Sequence, residues 1–272
     1  TVVTDWEPVD ADVAVVQGFV HMHSKNSPHL NLRKQVFERQ KKMGKRSIIV
    51  DSNLFLYADP GNTKGYLRYG YDGISPNTAE YCNKNPDPSR WQKLSKDLGI
   101  SLKPWKRGGR DILICCQRNG GWSMDGMDLM PWLMSLIKKV KSRTERPIVV
   151  RFHPGDKAAP QHARLVRSKH IPGVSVSTNK HILQDFETAH VVISYNSSPG
   201  VVAAVEGIPV VVLDPERSQA APVAMHNLNS LENPIEYDRK LWVEQMAQMH
   251  WTIDELKDGT AWQHLRKYAR GN

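Results

Sequence analysis

The sequence is poor in the features that mark several protein classes. It holds three cysteines in 272 residues, and two of them, Cys115 and Cys116, are adjacent inside an apolar run. That excludes a disulfide framework and a cysteine-built metal site, and it reads as buried packing thiols kept reduced. No apolar run approaches the roughly 18 residues of a membrane span, and no signal-peptide pattern is visible. No clear amphipathic segment offers itself for docking to lipid. A cytoplasmic protein without a membrane partner is the expectation, with oligomeric state left open. Acidic residues are also short: 28 Asp and Glu face 37 Lys and Arg, for a formal net charge of +9. That excess suits a polyanionic partner such as nucleic acid, or an anionic substrate, and equally a generally basic soluble protein. What remains is ordinary. Apolar residues make 40% and charged residues 24%, in a chain long enough for one large or two small domains.

The most organised stretch is HVVISYNSSPGVVAAVEGIPVVVLD, residues 190–214. Residues 190–195 form a β-branched run that suits a strand buried on both faces. Asn196, Ser197 and Ser198 supply a helix cap, and Pro199 falls at a first-turn position. A short helix of small residues ends at Gly207, and residues 209–213 read as a second buried strand. The polar tip of this βαβ unit lies where a strand's carboxyl end meets a helix N-terminus, a natural seat for phosphate.

The same grammar recurs along the chain. Residues 13–21, 45–50, 111–116, 147–152 and 174–176 read as strands. Residues 28–43, 128–140, 161–168 and 181–188 read as helices. Residues 54–105 are rich in Gly, Pro, Asn, Asp and Tyr, and read as a long irregular segment with a short helix over 89–98. Such segments inside compact domains are usually functional. Its tyrosines, interleaved with Lys64, Arg68 and Arg90, suit stacking on bases or sugars, or half-buried packing under a loop. Residues 102–109 look like a linker, and residues 232–272 read as helical. The expected organisation is an α/β fold of two doubly wound parallel-sheet, Rossmann-like domains facing a cleft. Residues 1–108 form the first domain, 109–235 the second, and 236–272 are helices packing across the junction.

In such sheets ligands lie beyond the strands' carboxyl ends. The polar clusters fall there: His21–Ser27, Asp51–Asn53, Gln117–Ser123, Arg151–Asp156, Tyr195–Ser198 and Asp214. Gln117, Arg118, Gly120, Gly121, Tyr195 and Asn196 would line the cleft of the second domain.

Arg151-Phe152-His153-Pro154, then Ser197-Ser198-Pro199-Gly200, then Glu206-Gly207-Ile208-Pro209-Val210 resemble the nucleotide-sugar half of GT-B glycosyltransferases. The likeness runs from Asp111 to Asp214 and is nearest the HP/SS-motif group of capsule-type and sialyl- or Kdo-type transferases. The resemblance implies that His153, Ser197 and Ser198 hold donor phosphates and that Glu206 contacts a ribose or sugar hydroxyl. Arg118, Arg151 and Lys157 would then neutralise the leaving phosphate. No DxD stands where metal-bound diphosphate would need it, so no metal or other cofactor is expected beyond the donor, with a UDP-sugar as first choice. The whole chain also resembles small glycosyltransferases of tailed bacteriophages, on His29–Arg33, Asp51–Tyr57, Ser89-Arg90-Trp91 and Gln117–Met124. Such proteins modify hydroxymethylated bases, such as hydroxymethylcytosine, in phage DNA. That resemblance implies double-stranded DNA as acceptor, in the host cytoplasm, with His23, Lys25, Arg33, Arg68 and Tyr69 as contacts. The alternatives are a GT-B enzyme acting on a surface polysaccharide or lipid, and a non-enzymatic nucleotide- or DNA-binding protein. Inverting transfer needs a general base, and the GT-B resemblance implies that it comes from the first half. Asp72 is preferred, then Asp51, with His21 and His23 as lesser candidates and a turn or capping role open for each Asp.

Overall fold

The computed structural model describes residues 8–18 and 27–270. In chain order the elements begin with β1 (Val13–Gln17), α1 (Pro28–Lys42), β2 (Arg46–Asp51), β3 (Tyr66–Tyr71) and α2 (Pro88–Leu98). Next come β4 (Asp111–Cys115), α3 (Leu129–Lys141), β5 (Ile148–Arg151), α4 (Ala159–Ser168), β6 (Val174–Val176) and α5 (Ile182–Phe186). β7 (Ala189–Ser194), α6 (Ser198–Val205), β8 (Val210–Val212), α7 (Lys240–Gln248), β9 (His250–Thr252), α8 (Ile253–Lys257) and α9 (Thr260–Leu265) complete it. Two compact units emerge: Thr1–Ile100 with Val243–Asn272, and Ser101–Trp242.

The second unit carries a five-stranded sheet in the order β6-β5-β4-β7-β8, parallel at every step. Its strands are apolar along their length because helices cover both faces. Ile112, Ile114, Val191, Ile193 and Val211 are all fully buried. Capping places the helices. Asp128 accepts from the Met130 N–H at 3.2 Å to start α3, which buries Leu129, Leu133, Leu136, Ile137 and Val140. α6 is buried from Gly200 to Val205. A side chain at Gly200 would stand 3.0 Å from Ser194 Oγ, so glycine there lets α6 lie close on the sheet. The chain leaves β4 toward β5 and β6, then returns to the other side of β4 with β7 and β8. The switch point therefore lies between β4 and β7, where a ligand crevice is expected.

The first unit is α/β as well, but its sheet is mixed. β1 and β2 are parallel, joined through α1, while β3 and β9 each add antiparallel in the order β1-β2-β3-β9. Two segments depart from the sequence expectation. Residues 66–71 lie inside the stretch read as irregular, yet form β3, since the run Tyr-Leu-Arg-Tyr-Gly-Tyr has the aromatic content that a pleated, half-buried surface favours. Residues 250–252, inside a stretch read as helical, form the edge strand β9. Tyr69 and Tyr71 pack with Ile48, Val50, Trp251 and Leu265 in one core, and Tyr66 and Tyr81 are also buried. These four rings are packing groups and offer no stacking platform. Among the described residues, no helix is long and apolar enough to cross a membrane.

Candidate functional site

The carboxyl edge of the second sheet gathers the loops after β4, β5, β7 and β8. The loops after β4 and β5 are tied directly, since the Asn119 N–H donates to Asp156 Oδ2 at 3.1 Å. Beside that tie stand Arg118 and His153. A Cβ at Gly155 would meet an Arg118 guanidinium nitrogen at 2.8 Å and His153 Cε1 at 3.2 Å, so the two side chains flank the same glycine. His153 Nδ1 accepts from the Gly155 N–H at 2.9 Å. In the neutral ring the proton then resides on Nε2, leaving an N–H donor. Burial and the Arg118 charge hold the His153 pKa below its ordinary value, and Asp156 offsets this only in part. A cation and a neutral donor are thus set side by side.

Two strands away, β7 runs into the N-terminus of α6. Ser197 is the N-cap residue in extended conformation, yet its side chain makes no capping bond. Ser197 Oγ is buried without a hydrogen-bond partner among the described residues, and so is Ser194 Oγ. An orphaned buried hydroxyl costs about 1–3 kcal/mol unless something supplies its bond. Beside an uncapped helix N-terminus, an anion's oxygen is a fitting supplier. β5 and β7 flank β4, so the strand ends that lead to His153 and Ser197 share one edge, two strand spacings or about 10 Å apart. The structure brings Arg118, His153, Ser197 and Ser198 to that edge. Among the described residues no group of three or more His, Cys, Asp or Glu could hold a metal ion.

A scaffold lies behind this edge. Gln117 Nε2 donates to Ser123 Oγ at 2.6 Å and to Asn196 Oδ1 at 2.9 Å, and Gln117 Oε1 accepts from the Asn196 N–H at 3.3 Å. Asn196 Nδ2 donates to Ser123 O at 3.0 Å and to Asp214 Oδ2 at 2.8 Å. With their side-chain groups engaged inside the protein, Gln117 and Asn196 shape the loops that present the edge. Tyr195 is held edge-on by Trp132, with ring centroids 6.0 Å apart. Gly120 lies in the left-handed region, and Gly121 donates its N–H to Arg118 O at 3.2 Å, so both serve a turn.

Two residues expected at the donor are otherwise engaged. Arg151 donates to Asp185 Oδ2 at 2.6 Å, to Asn179 O at 3.0 Å and to Lys180 O at 3.1 Å. Asp185 is buried and needs that cation, so Arg151 is a structural ion-pair partner. Glu206 is the C-cap of α6 and pairs with Lys103. Eight helical residues, about 12 Å, separate it from the α6 N-terminus, which puts it at the wrong end of the helix to reach the donor edge.

The first unit corrects more. Asp72 follows β3, which runs antiparallel to β2, and its carboxylate accepts from Arg46 Nε at 2.6 Å and from the Ser47 N–H at 2.9 Å. That is the amino end of β2. Asp51, at the carboxyl end, accepts from Arg68 Nη2 at 2.5 Å. The two candidate bases sit on opposite edges of one sheet, and Asp72, held by Arg46 and the Ser47 N–H, lies at the edge away from the carboxyl end of β2. Arg68 and Tyr69 are buried, which removes them as acceptor contacts. Arg33 lies against Gly18, where a Cβ would stand 3.0 Å from its guanidinium. His21, His23 and Lys25 lie outside the described residues.

Sequence reasoning missed Arg217. Its Nε donates to Asp214 Oδ2 at 2.5 Å, and its other nitrogens reach Asp125 at 2.9 and 2.8 Å. The Asp214/Arg217 spacing was visible; the partner 92 residues away was not.

No protein-family model matches the chain, and no curated protein matches it in sequence. Solved structures do match in shape. The beta Kdo 2,4 transferase of Thermosulfurimonas dismutans KpsC superposes with a TM-score of 0.54 at 13% identity, over 90% of this chain and 86% of that one. The beta Kdo 2,7 transferase of the same protein gives 0.54 at 11%, over 94% of this chain and 99% of that one. At these identities the likeness is one of fold, and the fold is α/β of GT-B type.

Proposed function

We propose that this chain is a glycosyltransferase that takes a sugar from a nucleotide donor and passes it to a hydroxyl of a surface polysaccharide or glycolipid. The observation that carries the reading is the convergence of Arg118, the His153 Nε2–H and the unpartnered Ser197 hydroxyl on one sheet edge beside the α6 N-terminus. These are donors placed for the phosphate charge that grows as the bond between anomeric carbon and phosphate oxygen breaks. On the acceptor side we assign the base to Asp51, which stands at the carboxyl end of β2. It would take the proton of the hydroxyl that attacks the anomeric carbon. The GT-B-type neighbours are Kdo transferases, which favours a glycan acceptor. DNA keeps in its favour the net charge of +9. Two of its expected contacts, Arg68 and Tyr69, are buried.

Calorimetry with UDP and CMP, followed by transfer assays with UDP- and CMP-sugars, tests the proposal. His153→Ala and Ser197→Ala should each weaken nucleotide binding, and His153→Ala should lower kcat/KM about 100-fold. Asp51→Asn should abolish transfer while leaving nucleotide binding intact. Acidic oligosaccharide, glycolipid and hydroxymethylated duplex DNA are offered in parallel. Mass gain on the DNA alone would replace the glycan reading with the phage-type one. Nucleotide binding indifferent to both His153 and Ser197 would overturn the donor site.

A further inference from the structure

An open groove of about 440 Å³ lies in the first unit, lined by Asp12, Val13, Trp262, Arg266, Lys267, Ala269 and Arg270. Val13 and Arg46 begin β1 and β2, so the groove lies at the amino edge of the sheet, opposite Asp51. β2 spans six residues, about 20 Å, between those edges. The groove is therefore distinct from any site that uses Asp51.

Three features give it a chemistry. Trp262 leaves 40% of its surface exposed on α9, where an aromatic plane is available. Arg266 and Arg270 follow at intervals of four residues, and Lys267 adjoins them. None of the three cations makes an ion pair among the described residues, whereas nearby cations are neutralised: Arg39 by Asp10 and Lys45 by Asp12. The segment bearing them is also fixed. Ala261 and Leu265 are buried, the Tyr71 hydroxyl donates to Leu265 O at 3.0 Å, and Arg46 Nη1 donates to Tyr268 O at 3.0 Å. Uncompensated charge held on a rigid support is preorganised for an anion.

We propose that this groove binds an acidic oligosaccharide. Its volume lies within the roughly 300–1,000 Å³ of small-ligand sites. A sugar ring would lie on the Trp262 plane. Carboxylates would meet Arg266, Lys267 and Arg270, with Arg able to form paired hydrogen bonds. The exposed Asp12 carboxylate is an acceptor that sugar hydroxyls can satisfy. A DNA backbone has no hydroxyl to offer it. The binding is independent of the nucleotide site on the second unit.

Titration of the full chain with trigalacturonate and with α2,8-linked trisialic acid, by calorimetry at 150 mM salt, tests the groove. Maltotriose and a 12-base-pair DNA duplex are the comparison ligands. At least one acidic trisaccharide should bind, maltotriose should not, and the duplex should bind more weakly. The double variant Arg266→Ala/Arg270→Ala should raise Kd at least tenfold and Trp262→Ala at least fivefold. UDP binding serves as an internal control and should not change in either variant. These side chains are exposed, so the variants should fold, and an unchanged circular-dichroism melt confirms it. The proposal is overturned if neither acidic trisaccharide binds, if both variants bind as the parent does, or if the duplex binds more tightly. His153→Ala, which removes the nucleotide site, should leave trisaccharide binding intact, so the two readings fail separately.

Discussion

Asn196 Nδ2 donates to Asp214 Oδ2 at 2.8 Å, joining the loop after β7 to the loop after β8. The same oxygen accepts from Arg217, so one carboxylate holds both the residue before Ser197 and the arginine that reaches Asp125. Asp214→Ala would remove one of the two carboxylates that hold the Arg217 guanidinium and free Asn196. The expected loss is about 2–3 kcal/mol in the unfolding of the second unit, read from urea denaturation. Nucleotide Kd should rise about tenfold through disorder at Ser197, read by calorimetry. Asp214→Asn, which keeps an acceptor for Asn196, should recover much of the affinity and less of the stability.

His153 should resist protonation. Burial and Arg118 lower its pKa, and its Nδ1 already accepts a backbone N–H, so a second proton has no good place. In the unfolded chain the ring titrates normally, so its folded pKa lies below its unfolded one. Its contribution to stability is then complete above the unfolded value and falls as pH drops through the window between the two. Arg118→Gln should move the His153 titration upward toward the ordinary histidine value, followed by the ring's carbon-bound proton resonances in NMR. No movement would place Arg118 too far away to act with His153 on one anion.

The second unit was largely legible because strands buried on both faces spell themselves as apolar runs. DILIC and AHVVIS each sit where β4 and β7 lie, and Asp128, Ser197 and Gly207 punctuate the helices between them. Once a sheet is parallel, strand-end residues share an edge, so Arg118, His153 and Ser197 fell together. The first unit resisted for the converse reason. Proline, glycine and asparagine around β3 hid a strand, and without its direction no reading could tell which edge Asp72 occupied. Glu206 was misplaced by carrying over a motif without counting helix turns. Arg151 could not be separated from Arg118 by sequence, because its partner Asp185 is 34 residues on and only burial reveals the debt between them.

Gly207 ends α6 for a steric reason beyond helix punctuation. Its φ is +79°, and a Cβ there would stand 3.0 Å from the Pro104 carbonyl carbon and closer still to its oxygen. Lys106 donates its backbone N–H to Gly207 O at 2.6 Å, so the 103–107 segment is seated directly on this residue. Gly207→Ala combines a left-handed backbone with a clash against main chain, which cannot swing aside as a side chain would. A loss above about 2 kcal/mol is expected for the second unit, seen as a lower urea midpoint. Gly120→Ala, also left-handed but with open space around it, should cost about 1 kcal/mol. Equal costs would show that backbone strain dominates and that the packing against Pro104 is loose.

His250 makes the first unit sensitive to acid. The ring is fully buried, donates from Nδ1 to Met246 O at 2.6 Å and accepts at Nε2 from the Leu54 N–H at 3.1 Å. Protonation would set a charge in the core and put N–H against N–H, and burial depresses its pKa to about 3. The unfolded ring takes its proton near pH 6.5, so below that value the unfolded state binds more protons and stability falls with pH until about pH 3. At pH 5 the loss from this one group is about 2 kcal/mol. Arg68 and Arg90 also lower its pKa, so they cannot ease the proton's entry. His250→Gln, which retains one donor and one acceptor, should be less stable than the parent at pH 7.5 and should lose less between pH 7.5 and pH 5. Urea denaturation at the two pH values reads both quantities, and parallel losses in the two proteins would assign the acid sensitivity to other groups.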